Sequence, residues 1–354
     1  MTITFVLPFV NLTGGVRVML DYANSLHDAG HAVTVVYPLW PYRFQMTRGE
    51  QWIEFRKQQR VPPSVPWFDL RCRLLRVPLV RSMFLPDADV IVATSWNTVH
   101  DIARASASKG RKVHVVMHHE SGTGPEDRIQ AIYRLDVQRV AFSQFVKRTI
   151  EERFGCDIPA VAPNGVNPKI FFPDGVPLPL SVLFLYHPDP RKGAADGLAV
   201  LERLRDRIPE VNIRACGTVR PRLWPGWLPF EFHPGDAMLR RRMSESTVLL
   251  YPSRYEGFGL PPLEAMACGC PSVTTDVGAI PEFATHDHDA IIVPAGDIDA
   301  MTKGLQRVLR DDVLRQKLST NGLETAARYS LERVAPMFER ALIETTTPTR
   351  SSRG

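Results

Sequence analysis

Two carboxylates, Glu256 and Glu264, stand eight positions apart in the run Arg254-Tyr255-Glu256-Gly257-Phe258-Gly259-Leu260-Pro261-Pro262-Leu263-Glu264-Ala265-Met266-Ala267-Cys268-Gly269. The run follows Val248-Leu249-Leu250-Tyr251, which ends at Pro252 and reads as a buried strand leaving a sheet. Gly257 and Gly259 bracket Phe258, two prolines open a short helix, and Gly269 falls just past its end. On this spacing Glu264 lies in the first helical turn and Glu256 in the loop before it. A strand, a glycine-bearing loop and a helix N-terminus make an anion cradle of backbone N–H groups and a positive dipole end. Carboxylates beside such a cradle repel phosphate unless they face hydroxyl groups. Phosphate and polyol together point to a nucleotide sugar.

Further candidates lie upstream. Asn11-Leu12-Thr13-Gly14-Gly15 is a turn opening a helix; His118-His119-Glu120-Ser121-Gly122-Thr123-Gly124 follows a strand; His187-Pro188-Asp189-Pro190-Arg191-Lys192-Gly193 follows another. The elements that must hold these groups alternate along the chain. Strands read at 2–7, 32–37, 89–93, 113–117 and 140–142, then at 181–186, 211–216, 230–232, 247–251, 272–275 and 290–293. Helical spacing at Val16, Met19, Leu20, Ala23 and Leu26, and at Leu198, Leu201 and Leu204, fills the intervals. Ser143 caps a helix ended by Gly155. This order predicts an α/β chain of two doubly wound parallel-sheet domains in tandem, with strand ends facing each other across a cleft. The expected divisions are 1–172, 180–330, a helix at 331–344 returning toward the first domain, and a disordered tail at 345–354. The proline-rich 171–179 reads as the linker.

The 354 residues are 44% apolar and 23% charged, as in a globular protein with ample core. No apolar run approaches the roughly 20 residues of a membrane span. Met1 to Pro8 lacks the basic start and cleavage site of a signal peptide, and five cysteines without a C-x-x-C pair favour neither a disulfide framework nor zinc. The expected location is cytoplasmic, with peripheral attachment to the inner face of a membrane. Between Pro41 and Pro86 nine Arg or Lys stand against three acids, a surplus larger than the net +5 of the whole chain. With Trp52, Phe55, Trp67, Phe68 and Phe84, this segment reads as an irregular insertion packed on the domain. Its other reading is a surface for anionic lipid headgroups or a lipid-linked acceptor. Its charge follows no nucleic-acid-reading motif, and no nucleic acid partner is expected.

Glu256 and Glu264 within EGFGLPPLEAMACGCP closely resemble the E-x7-E signature of family 4 retaining glycosyltransferases of GT-B fold. Thr13-Gly14-Gly15-Val16, His118-His119, Ser143, Pro163-Asn164-Gly165-Val166, Lys192-Gly193 and Val277-Gly278-Ala279-Ile280-Pro281-Glu282 fall in the family's order. The resemblance implies two Rossmann-like domains, an N-terminal acceptor domain and a C-terminal donor domain. It implies a sugar moved from a UDP-, GDP- or dTDP-linked donor to a glycan, lipid-linked or small-molecule acceptor with retention, hexosyl or deoxyhexosyl. Cell-surface polysaccharide, glycolipid or glycosylated-metabolite synthesis would be its setting.

By the same resemblance Glu264 binds ribose hydroxyls, while Glu256 and the backbone at Gly257, Phe258, Gly259 and Leu260 meet sugar and diphosphate. Lys192 neutralises the diphosphate, assisted by Gly14 or Gly15, and His118 or His119 hydrogen-bonds the transferred sugar. Glu256, His118 and Lys192 are the expected catalytic set. No metal or other cofactor is expected, and His286-Asp287-His288-Asp289 reads as an exposed turn. The family's usual Arg ahead of the K-G pair is here His187, so either Arg191 supplies the cation or His187 binds phosphate while protonated. The alternative is a binding subunit that keeps the fold and lacks turnover. An NAD or epimerase-type enzyme is disfavoured, since no G-x-G-x-x-G follows a strand. The plain readings also stand: a helix-dipole partner for Glu264, a surface carboxylate for Glu256, a structural His118 or His119, a solvated Lys192.

Overall fold

The structure, a computed structural model, describes residues 1–40, 42, 47–120 and 123–346, except the side chains of 345 and 346. Residues 41 and 43–46 of the basic segment, Ser121 and Gly122 of the histidine loop, and the tail beyond 346 lie outside the described residues. Two compact units emerge: residues 1–164 with the described residues from Val334 on, and residues 165–333.

The first unit runs β1 (Thr2–Val6), α1 (Gly14–Asp28), β2 (Ala32–Pro38), α2 (Arg48–Gln58), β3 (Arg73–Val77), β4 (Val90–Ala93), α3 (Trp96–Ala103), β5 (Arg111–Val116), α4 (Glu126–Ala131), β6 (Gln138–Ala141), α5 (Gln144–Phe154) and β7 (Ala160–Val161). Its sheet has the order β3-β2-β1-β4-β5-β6-β7, and every pairing is parallel. Apart from Thr2 and Thr4, β1 and β4 are apolar runs, buried from Ile3 to Val6 and from Val90 to Ala93. Thr13 caps α1, its hydroxyl accepting the Val16 N–H at 3.3 Å. The buried stripe of that helix then seats Tyr22, whose hydroxyl donates to Pro163 O at 2.6 Å. Phe338 packs on Tyr22 with ring centroids 4.4 Å apart, and on Phe5 and Phe142, fixing the last helix to this unit.

The second unit runs β8 (Ser181–Leu185), α6 (Ala194–Arg207), β9 (Asn212–Gly217), β10 (Phe230–Phe232), α7 (Asp236–Ser244), β11 (Val248–Tyr251), α8 (Leu260–Ala267), β12 (Ser272–Thr275), α9 (Ile280–Phe283), β13 (Ile291–Val293), α10 (Ile298–Arg310) and α11 (Asp312–Arg328); α12 (Leu331–Thr346) begins in it. Its sheet, again all parallel, has the order β10-β9-β8-β11-β12-β13. One core, with Val200, Leu201, Leu204, Met301 and Leu305, covers one face. The other, with Leu249, Tyr251, Leu263, Met266 and Ile280, covers the face that carries α8.

Three expectations need correction. The basic segment is not irregular: α2 and β3 lie in it, and Arg73-Leu74-Leu75-Arg76-Val77 pairs with β2 as an edge strand. Edge strands tolerate charge that a central strand excludes, which hides the strand from an apolar-run reading. The proline-rich stretch at 171–179 is not where the units divide. Phe171 is buried in the second unit's core, and Val166 exchanges backbone hydrogen bonds with Tyr329 and Leu331. Proline marks lack of regular structure, not lack of burial. Positions 345 and 346 of the expected disordered tail continue α12.

Candidate functional site

The structure brings the acidic loop and the Lys-Gly loop of the second unit together at the carboxyl ends of β8 and β11. Glu256, buried at 7% exposure, accepts three bonds on one oxygen, Oε1: from Lys192 Nζ at 2.7 Å, the Tyr251 hydroxyl at 2.5 Å and the Ser253 hydroxyl at 2.8 Å. The loops are also joined through backbone, because Arg191 O accepts the Arg254 N–H at 2.8 Å and the Tyr255 N–H at 3.1 Å. Arg254 reaches back to Asp196 on α6 as a two-pronged ion pair at 2.6 and 2.7 Å.

Glycines make this approach possible. Gly193 has φ +65°, and a Cβ on it would lie 1.9 Å from Pro252 O. Gly278, from the later motif, lies against the Glu256 backbone, where a Cβ would meet Glu256 O at 2.5 Å. Gly259, at φ +90°, turns the chain into α8.

The cradle differs from the spacing argument in two respects. Helix α8 starts at Leu260, so Glu264 is its fifth residue and lies beyond the first turn, half-exposed, where the dipole reading loses its basis. Pro261 and Pro262 occupy the next two positions and carry no N–H. Backbone donors at this end are therefore confined to the residues ahead of the prolines, Gly257, Phe258, Gly259 and Leu260 among them. The Phe258 side chain is core, stacked on Phe283 at 5.4 Å.

The loop's other polar groups, Arg191 and His187, are both tied to Asp189. Arg191 is held by Asp189, Nη2 to Oδ2 at 2.7 Å and Nε to Oδ2 at 3.0 Å. Burial and then the Lys192 charge push the His187 imidazole below its ordinary range. The Asp189 N–H donates to His187 Nδ1 at 3.1 Å, so the neutral ring carries its proton on Nε2. Lys192 is the cation of this loop that meets Glu256.

In the first unit, Gly14 and Gly15 open α1 at the carboxyl end of β1, with Gly14 exposed and open space where its Cβ would be. A Cβ on Gly15 would stand 3.1 Å from Met117 Sδ, directly ahead of His118. The two histidines diverge. His118 is half-exposed, while His119 is buried against Phe154 (5.4 Å) and Tyr133 (6.4 Å), with Nε2 3.7 Å from Glu126 Oε1. Burial holds the His119 imidazole below its ordinary range.

Tyr251 and Ser253 were not legible as site residues. Tyr251 reads as the last apolar residue of a strand, and Ser253 as a loop serine. Glu120, in the polar run after the histidine pair, is held away from them. Its buried carboxylate accepts the Trp96 N–H at 2.8 Å and the Ser95 hydroxyl at 3.2 Å, and burial raises it to about 8.

Among the described residues no three His, Cys, Asp or Glu side chains gather as a metal site. The stretch 286–289 is a turn with His286 and His288 exposed, while Asp289 at its end is buried and accepts the Thr285 N–H at 2.6 Å and the Thr325 hydroxyl at 2.8 Å. No helix among the described residues is long and apolar enough to cross a membrane.

The model of the family described as Glycosyltransferase Family 4 matches residues 12–170, and that of Glycosyl transferases group 1 matches residues 230–325. The phosphatidyl-myo-inositol mannosyltransferase of Mycolicibacterium smegmatis is 28% identical over 363 residues, covering 96% of this chain and 93% of that protein. The O-antigen chain mannosyltransferase B of Escherichia coli is 35% identical over 107 residues, 30% of this chain and 28% of that protein. Among solved structures, sucrose-phosphate synthase of Thermosynechococcus elongatus aligns with TM-score 0.74 at 18% identity, covering 97% of this chain and 99% of that one. Anabaena HepE in complex with UDP aligns with TM-score 0.72 at 15% identity, covering 97% and 100%. At such identities these structures speak for the fold.

Proposed function

This chain belongs to the family 4 glycosyltransferases of GT-B fold, and we propose that it moves a sugar from a nucleoside diphosphate donor to an acceptor hydroxyl with retention of configuration. The carrying observation is the buried Glu256 carboxylate held against Lys192 in the loop ahead of α8. In this reading Lys192 and the N–H groups from Gly257 to Leu260 face the diphosphate, where charge grows as the nucleotide leaves. A fixed donor aimed at such charge is worth roughly 3 kcal/mol. Glu256 meets the sugar, Glu264 the ribose hydroxyls, and the neutral His187 offers Nε2–H. The departing phosphate oxygen helps to take the acceptor proton as the acceptor attacks the same face, with no protein nucleophile and no metal. His118 is the better placed of the histidines to touch the sugar, since His119 is packed among aromatic rings.

The phosphatidyl-myo-inositol and O-antigen mannosyltransferases among the relatives favour a lipid-linked or glycan acceptor and a mannosyl donor. An anionic membrane surface suits the basic segment, where Trp52 and Ile53 are more than half exposed beside Arg56 and Lys57. Glu256→Ala and Glu264→Ala are expected to abolish transfer with the fold intact, as read by turnover on a panel of UDP-, GDP- and dTDP-sugars. Full turnover by both variants would sink the assignment.

A further inference from the structure

Glu256 carries a negative charge into the loop that would receive a diphosphate, and its three partners are of two kinds. Lys192 brings a charge that a diphosphate would attract; Tyr251 and Ser253 bring none. All three meet the same Oε1 oxygen. The neutral pair is fixed to the sheet: Tyr251 is the last residue of β11, and Ser253 O accepts the Thr275 hydroxyl of β12 at 2.5 Å. Burial first, then the Glu256 charge, holds the Tyr251 phenol far above its ordinary range, so it acts here as a donor. Lys192 sits at the end of a long flexible side chain that is 33% exposed. A carboxylate held by the ammonium alone would be released when that ammonium turned to phosphate. One also held by two neutral hydroxyls would stay.

We propose that the Lys192–Glu256 ion pair is the resting half of a charge exchange. The donor's diphosphate draws Lys192 away, and Tyr251 and Ser253 are positioning residues that keep Glu256 aligned to meet the sugar. This rests on the donor-site reading of Glu256 and Lys192 given above. No bond is made or broken in the exchange; one anion replaces another beside the ammonium.

The test separates binding from turnover. UDP, GDP and dTDP serve as probes in calorimetry. Glu256→Gln removes the competing charge, keeps an oxygen for both hydroxyls, and binds the preferred diphosphate about threefold tighter or more. Threefold corresponds to one unit charge roughly 7 Å away with the dielectric constant of water. Lys192→Met binds it at least about tenfold more weakly, and Tyr251→Phe within about twofold of the wild type. In turnover with the active nucleotide sugar, Tyr251→Phe loses about tenfold in kcat while keeping its donor KM and its Tm. Unchanged or weaker binding by Glu256→Gln overturns the exchange. Unchanged kcat in Tyr251→Phe, or a loss that follows a fall in Tm, overturns the positioning role. A wild type that binds none of the three probes overturns the donor reading itself, and the exchange with it.

Discussion

Glutamine in place of Glu120 is expected to stabilise the protein at neutral pH, and the size of the gain follows from the burial of one carboxyl group. Glu120 lies at the end of the β5 loop, 8% exposed, with the Trp96 N–H and the Ser95 hydroxyl as its neighbours. Burial is the largest influence and raises its pKa to about 8, while the two hydrogen bonds pull the other way. A raised value means that the folded protein binds this proton more tightly than the unfolded chain. The stability it contributes is complete below the ordinary carboxylate range and is lost as pH rises toward 8. At 1.36 kcal/mol per pH unit, the gap sets a ceiling of about 5 kcal/mol above pH 8, and about 3 kcal/mol at pH 7. Glutamine is uncharged and nearly isosteric, and it keeps an oxygen for the Trp96 N–H.

Denaturant unfolding of wild type and Glu120→Gln at steps from pH 4 to pH 8 measures the effect. The two are expected to be similar at pH 4. The advantage of the variant then grows by about 1.4 kcal/mol per pH unit between pH 5 and pH 8. A difference that does not change with pH refutes the reasoning, because a lost hydrogen bond or poor packing would act at every pH.

Gly193→Ala combines a left-handed backbone with a Cβ 1.9 Å from Pro252 O. It is expected to cost more than about 2 kcal/mol and to weaken nucleoside diphosphate binding, read by thermal melting and calorimetry. An alanine variant of wild-type stability would contradict this close approach. Vesicles rich in anionic lipid are expected to bind the protein at low salt and release it near 1 M, where the screening length falls to about 3 Å. Cosedimentation checks this, and no binding at low salt removes the membrane from the reading of the basic segment.

Much of the fold was legible because parallel sheets covered on both faces are made from unbroken apolar runs. Such runs stand at Val90-Ile91-Val92-Ala93 and Val248-Leu249-Leu250-Tyr251. β3 was not legible, since an edge strand can hold Arg73 and Arg76 and still pair. Nor was the boundary of the second unit. Phe171 follows no period, and only its burial against that unit's core shows where it belongs.

The sequence alone determined the alternation that builds two parallel sheets, the family, and the residues around Glu256 and Lys192. Spacing within one loop is a local property, and chemistry demands particular residue types there. Only the tertiary structure decided how those residues are joined. It set Lys192, Tyr251 and Ser253 on one oxygen of Glu256, paired Arg191 with Asp189, and placed the Asp189 N–H on His187 Nδ1. The Lys192–Glu256 contact joins two strand ends 64 positions apart, and the others fall within five positions of one another. Burial and the charges brought close by folding fix them, and neither can be read from a loop by itself.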